Sequence, residues 1–285
     1  MTYSKFMAGA NHRQRYWARS FLGYPHISSA QPNDGHRALA HWEQAGRVTH
    51  IITQNVDSLH IKAGSAHVTE LHGSLAEVVC LQCRRLSARS ELQQRFNALN
   101  QHWLQNLQPA LQQRLLNGTL GDKAAVGNPS NPVALLHGST SSRDADAAAL
   151  RPDGDVELNE DSTAQFQVPA CDSCGGILKP RVVFFGENVP LDTVQHALKQ
   201  VTAADLLLVL GSSLHVWSGR RFVSTAVNHK IPVAIVNWGP TRADDLATVR
   251  VHDRIVPVLA QLSRFLGVGT TSGAAAGSLH AESAG

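Results

Sequence analysis

Several things are scarce in this chain, and each shortage narrows what it can be. No apolar run approaches the ~18–20 residues of a membrane span, so no membrane partner is expected. The start, Met1-Thr-Tyr-Ser-Lys5, lacks both the apolar segment of a signal peptide and the arginine-rich pattern of a transit peptide. Charge of one sign is missing too: 25 Lys and Arg against 22 Asp and Glu leave a net +3, with the basic residues dispersed. That excludes a strong nucleic-acid footprint and fits a protein that meets anionic cofactors. Cysteine is scarce, with only four in 285 residues.

All four cysteines fall into two identical steps, Cys80-Leu-Gln-Cys83 and Cys171-Asp-Ser-Cys174. Two C-x-x-C turns supply four soft ligands for a closed tetrahedral Zn²⁺ site, one structural zinc per chain. A pair of disulfides or four unrelated thiols would not account for the repeated spacing. Metal-type cysteines without an export signal point to a reducing compartment. Asn117-Gly-Thr119 is then a chance match to a glycosylation sequon. A nucleic-acid-binding zinc ribbon is disfavoured, because beyond Arg84 and Arg85 the knuckles carry few basic or aromatic side chains.

Apolar periodicity predicts a helix over 34–44, a short strand over 48–53 and apolar pieces at 68–71 and 78–81. Leu92, Phe96, Leu99, Trp103, Leu107 and Leu111 recur as on one helical face. Residues 118–150 are rich in small and polar types and read as a loop. Strands are expected at 181–185, 206–210 and 233–236, with helices at 191–203 and 221–228. The run at 206–210 is short enough for a fully buried parallel strand. The tail 267–285 reads as disordered. Alternating strands and helices indicate a parallel α/β sheet. Ligands of such sheets gather beyond the strand carboxyl ends, where three polar clusters fall: 54–57, 211–213 and 237–239.

The order of motifs resembles the sirtuins, the NAD-dependent protein lysine deacylases. The matching pieces are Thr53-Gln-Asn-Val-Asp-Ser-Leu-His60, Lys62-Ala-Gly64, Glu70-Leu-His-Gly73, both cysteine pairs, Lys179–Glu187 and Leu210-Gly-Ser-Ser213. Arg13–Arg19, Pro152–Asp155, Cys174–Gly176 and Gly239-Pro-Thr-Arg242 are similar to the class II branch, which includes a mitochondrial lipoamidase and ADP-ribosyltransferase.

The resemblance implies transfer of an acyl group from a protein lysine to ADP-ribose with release of nicotinamide, and protein ADP-ribosylation as a related outcome. His72 is implied as proton acceptor, with Asn55 and Asp57 in catalytic positions. Gln54, Asn55, Val56 and Asp57 would hold the nicotinamide and its ribose. Gly211, Ser212 and Ser213 would meet phosphate and ribose, and Asn237, Trp238, Gly239 and Ile255 the adenosine end. Val183, Phe184, Gly186 and Glu187 would pair with an acylated substrate peptide as an added strand. The implied location is the mitochondrial matrix in a eukaryote or the cytoplasm in a bacterium.

The implied fold is a Rossmann-type parallel sheet with a small zinc-binding module inserted. Its parts are 1–73, the module 74–180 with a long insertion at about 84–170, 181–266, and the tail. The family's glycine-rich NAD loop has no match before Arg13, so the first strand is expected to be absent. NAD binding is then expected to be weak and solubility poor. The rival reading is a zinc-stabilised interaction module without full catalytic capacity.

Overall fold

The computed structural model describes residues 1–107 and 163–268. The expected loop at 118–150, the Pro152–Asp155 motif, Asn117, Leu111 and nearly all of the tail lie outside these residues.

The first elements are α1 (Tyr3–Met7), α2 (Ala10–Ser29), α3 (Asp34–Gln44), β1 (Ile51–Thr53), α4 (Leu59–Lys62) and β2 (Val68–Glu70). Then come β3 (Gly73–Cys80), β4 (Leu86–Ala88), α5 (Arg89–Leu99), α6 (Gln101–Asn106) and β5 (Leu178–Val182). The last are α7 (Leu191–Thr202), β6 (Leu207–Leu210), α8 (Trp217–Asn228), β7 (Val233–Val236), β8 (Val249–Val251) and α9 (Ile255–Phe265). Two compact units divide them: one of 1–31, 53–58 and 70–193, the other of 32–52, 59–69 and the chain from 194.

In the first unit the strands run β4-β3-β5, antiparallel throughout. Pro180 is tolerated inside β5 because β5 is an edge strand. The core is aromatic: Phe6, Trp17, Phe96 and Phe166 are fully buried, at about 1.5–3 kcal/mol for each large apolar side chain. Trp17 Nε1 is not wasted in this apolar setting, since it donates to the Leu178 carbonyl at 3.2 Å. The long helix α2 was not legible from periodicity, and it even contains Pro25. Proline has no N–H for the carbonyl four residues back, here that of Phe21. Gln93 Nε2 donates to that carbonyl instead, at 2.9 Å.

The periodic stretch from Leu92 is two helices, not one. The break is Asn100, which is buried. Its Oδ1 accepts from Gln167 N at 2.6 Å, while Nδ2 donates to Gln167 O at 3.0 Å and Phe96 O at 2.9 Å. A side chain that serves as a backbone partner competes with helix continuation.

In the second unit β6, β7 and β8 form a parallel sheet, with Leu207 opposite Val233 and Val236 opposite Val251. β1 and β2 form a separate two-stranded sheet. One cluster joins Leu39, Trp42, Ile51, Leu208, Leu210 and Leu259, and Trp42 Nε1 donates to Ser263 Oγ at 2.8 Å between α3 and α9. β8 and α9 went unread in the sequence, and α8 begins at Trp217 rather than at 221. β6 corrects a further expectation: its four residues are half-buried rather than fully buried. Among the described residues β6 pairs only with β7, so one edge of an apolar strand has no ladder.

Candidate functional site

The two cysteine turns are built alike. Arg84 N donates to Cys80 O at 3.0 Å, and Gly175 N donates to Cys171 O at 2.8 Å. Both turns need a positive φ, 64° at Arg84 and 74° at Gly175. The four Sγ atoms lie within 4.8 Å of one another. Cys80 Sγ is 3.5 Å from Cys174 Sγ, and Cys83 Sγ is 3.8 Å from Cys171 Sγ. Those separations exceed a disulfide bond of about 2.05 Å. They fit the edges of a tetrahedron with Zn–S of about 2.3 Å, roughly 3.8 Å. The Cys83 backbone N–H holds the Cys80 thiol pKa down to about 6. At Cys174 the Gly176 N–H is outweighed by the neighbouring Cys83 and Cys80 sulfurs, which push its pKa up. The crowded thiols thus compete for charge that a bound cation would neutralise. Donor set and spacing both fit a closed structural zinc site.

In the first unit the segment 53–58 is tied to 70–75 by its own polar groups. Thr53 Oγ1 accepts from Asn55 N at 3.1 Å, and Val56 O accepts from Leu75 N at 2.9 Å. Ser58 Oγ donates to Glu70 Oε1 at 2.5 Å and lies 2.8 Å from Ser74 Oγ. Burial raises the Glu70 pKa despite the Ser58 bond. Gly73 follows His72 at φ 79°, and a Cβ there would lie 2.0 Å from Arg181 O. Glycine alone permits this close approach of β3 to β5.

His72 is half-buried, and its Nδ1 lies 3.1 Å from Gln54 O. A carbonyl can only accept, so Nδ1 carries the hydrogen and the neutral ring keeps its lone pair on Nε2. Burial pushes the His72 pKa below its ordinary value, partly opposed by the Gln54 carbonyl. A neutral imidazole at physiological pH is the protonation state a base needs. His72 O accepts from Val183 N at 2.8 Å, which sets the 182–185 segment beside it.

These pieces enclose a cavity of about 260 Å³. Gln54, Val56, His72, Val183 and Phe184 line it; Asn55, Asp57, Gly186 and Glu187 do not. Glu187 is engaged within the chain: its carboxylate lies 2.8 Å from Lys179 Nζ and accepts from Phe184 N at 2.7 Å. Phe185 is 71% exposed, and its carbonyl accepts from Tyr3 N at 2.9 Å. The sequence reading missed the α2 wall of this cavity, Tyr16, Ser20, Tyr24 and Ile27. Their helical spacing was the available signal. It also missed Arg89, for which no local signal existed.

The second unit holds another cavity, of about 510 Å³, lined by Gly211, Asn237, Trp238 and Ile255 together with Asp253 and Arg254. Gly211 has φ 60°, and Ile255 Cδ1 lies 2.6 Å from where a Cβ would stand, so the two meet through the absence of a side chain. The Arg254 guanidinium lies over the Trp238 ring at 5.6 Å. Ser212, Ser213 and Gly239 lie outside the lining. Ser212 Oγ accepts from Leu214 N at 3.2 Å, Ser213 O from Arg242 N at 2.9 Å and Gly239 O from Asn237 Nδ2 at 2.7 Å.

The pattern of the Sir2 family matches residues 3–117 and 118–218. The chain belongs to the Sir2 family. It is 45% identical over 249 residues to the bovine NAD-dependent protein lipoamidase sirtuin-4, mitochondrial, covering 87% of this chain and 66% of that protein. The human sirtuin-4 lipoamidase is likewise 45% identical, with 67% of its length covered. A Bradyrhizobium diazoefficiens NAD-dependent protein deacetylase is 42% identical over 262 residues, covering 92% of this chain and 81% of the relative. This Sir2 chain thus spans about two thirds of the mammalian proteins' length. A solved structure named "The Structural basis for Sirtuin Substrate affinity" matches with TM-score 0.64 and 25% identity, over 94% of this chain and 85% of that one. The fold is therefore the Rossmann-like α/β fold of the Sir2 proteins. No helix among the described residues is long and apolar enough to cross a membrane.

Proposed function

We propose that this chain is an NAD-dependent protein lysine deacylase, with protein ADP-ribosylation as a related outcome. The observation that carries the reading is His72: a neutral, half-buried imidazole oriented by Gln54 O in a cavity it shares with Val183 and Phe184. His72 would take the proton relayed from a ribose hydroxyl of NAD once the acyl-lysine oxygen has attacked the anomeric carbon and nicotinamide has left. Gln54 to Asp57 would hold nicotinamide and its ribose. Gly211 to Ser213, Asn237 to Gly239 and Ile255 would hold the phosphates and adenosine, with Asp253 and Arg254 added from the cavity lining.

Val183 to Glu187 would meet the acylated peptide. Cys80, Cys83, Cys171 and Cys174 would hold one Zn²⁺, which braces the knuckles and takes no part in turnover. In this reading 74–180 is the zinc-binding module between the Rossmann-type parts 1–73 and 181–266. The location is the mitochondrial matrix or the bacterial cytoplasm, according to host. A second reading, a zinc-stabilised interaction module, is favoured by one observation, the half-exposed apolar strand β6.

The test is deacylation of an acetyl-lysine peptide with NAD, with calorimetric titration of NAD alongside. Turnover lowered at least roughly 10²-fold by His72→Tyr supports the enzyme. NAD-independent peptide binding without any turnover favours the interaction module.

A further inference from the structure

The loop 54–57 ends on a strained residue. Ser58 has φ 57°, in the left-handed region that residues other than glycine avoid because Cβ crowds the following carbonyl. It stands directly after Asp57, so its backbone angle helps set the path of the loop before it. A residue keeps such a conformation only where its surroundings over-determine it.

Those surroundings are a directed series of hydrogen bonds. The Ser58 hydroxyl gives its one hydrogen to Glu70 Oε1 at 2.5 Å. Ser74 Oγ, 2.8 Å away, is then the donor to Ser58 Oγ, and it accepts in turn from Ala76 N at 3.1 Å. The series runs from Ala76 through Ser74 and Ser58 and ends on the Glu70 carboxylate. Ser74 is 2% exposed and Glu70 is half-buried, so loss of the acceptor would leave a hydroxyl short of a partner where water replaces it poorly. Burial raises the Glu70 pKa, and Glu77 and Asp57 add to the rise, which places the Asp57 charge within electrostatic reach. Backbone bonds from Leu71 N to Thr53 O at 2.8 Å and from Leu75 N to Val56 O at 2.9 Å fix the loop as far as residue 56. Beyond it, the Ser58 hydroxyl carries the connection to Glu70 and Ser74.

We propose that Glu70 is a positioning residue for the cofactor: through the Ser58 hydroxyl it holds Ser58 left-handed and so presents 54–57 to the nicotinamide ribose. This inference rests on the deacylase reading, in which Gln54 to Asp57 hold that ribose. A loop released from this conformation binds NAD only in the fraction of molecules that retain it, which raises the apparent KM for NAD.

The experiment measures KM for NAD and for an acetyl-lysine peptide during deacylation by the full chain. Glu70→Ala should raise KM for NAD at least about 10-fold and leave KM for the peptide nearly unchanged. Glu70→Gln, which keeps an acceptor oxygen, should recover part of the loss. Ser58→Ala should resemble Glu70→Ala, whereas Ser58→Gly should be milder, because glycine adopts φ 57° without help from a hydroxyl. In the Ser58→Gly background Glu70→Ala should add less than about 2-fold. The two Ser58 variants decide the matter even if Glu70→Ala fails to fold. A merely structural Glu70 would move both KM values together. That result overturns the proposal, as does an unchanged KM for NAD in folded Glu70→Ala, a full Glu70→Ala effect in the Ser58→Gly background, or Ser58→Gly no milder than Ser58→Ala. If the wild-type chain deacylates and these variants behave like it, only the role of Glu70 falls. If the wild-type chain does not deacylate, the deacylase reading falls and the role of Glu70 with it.

Discussion

Gln93 completes the helix that Pro25 interrupts. Its Nε2 donates at 2.9 Å to the Phe21 carbonyl, the acceptor that a non-proline residue at 25 would satisfy from its own backbone. The same side chain accepts from Arg89 Nη1 at 2.7 Å, so one amide serves both a broken helix and a buried cation.

That arrangement predicts a coupling. Gln93→Met should destabilise the first unit by about 1–3 kcal/mol, because it leaves a buried carbonyl and a buried guanidinium each short of a partner. In a Pro25→Ala background residue 25 regains an N–H, and the cost of Gln93→Met should shrink. Chemical denaturation of the four proteins of this cycle measures the coupling. Additive costs would show that Pro25 and Gln93 act independently.

The metal centre should bind about one zinc per chain, and Cys171→Ala should remove it. Metal analysis of purified protein reads this directly. Full zinc occupancy in Cys171→Ala would overturn the four-thiolate assignment.

Gly73→Ala should cost more than an ordinary surface change, about 3 kcal/mol or above, since strain at φ 79° adds to contact with the Arg181 carbonyl. A melting temperature within 2 °C of wild type, or roughly 1 kcal/mol, would contradict the close approach of β3 to β5.

Acid should destabilise the fold through histidine. Burial lowers the pKa of both His72 and His50, and the neighbouring His196 lowers that of His50 further. A depressed folded pKa means that the contribution is intact above the ordinary value of 6.5 and is lost as pH falls through the lower folded value. Stability should therefore decline below about pH 6.5, and His50→Gln should make the decline shallower. The check is denaturant midpoints from pH 7.5 down to 5; identical slopes in the two proteins would remove His50 from the account.

Much of the candidate site was legible in the chain because its signals are local. A C-x-x-C step sets two thiols on one turn, and its repetition at Cys171 pairs the turns before any fold is known. The TQNVDS and ELHG segments likewise carry their order in the sequence, and the structure brings Gln54 and His72 to 3.1 Å. The parallel strands at 207–210 and 233–236 followed from short apolar runs ending in turn residues. Helix α2 was not legible, because its buried residues Tyr16, Trp17, Phe21 and Leu22 are mixed with arginines and the helix runs on through a proline.

The sequence alone set out the candidate zinc ligands and the alternation of strand and helix, which depend on spacings of a few residues, while its resemblance to the sirtuins supplied His72 as the candidate base. Only the tertiary structure decided where one helix became two, since Asn100 meets Gln167 across 67 residues of chain. It alone decided that Glu187 turns to Lys179, and that β6 keeps one edge without a ladder among the described residues. It alone placed Arg89, which reaches Ser20 across 69 residues. Burial of a charge depends on what distant segments enclose it, and no local pattern of residue types encodes that enclosure.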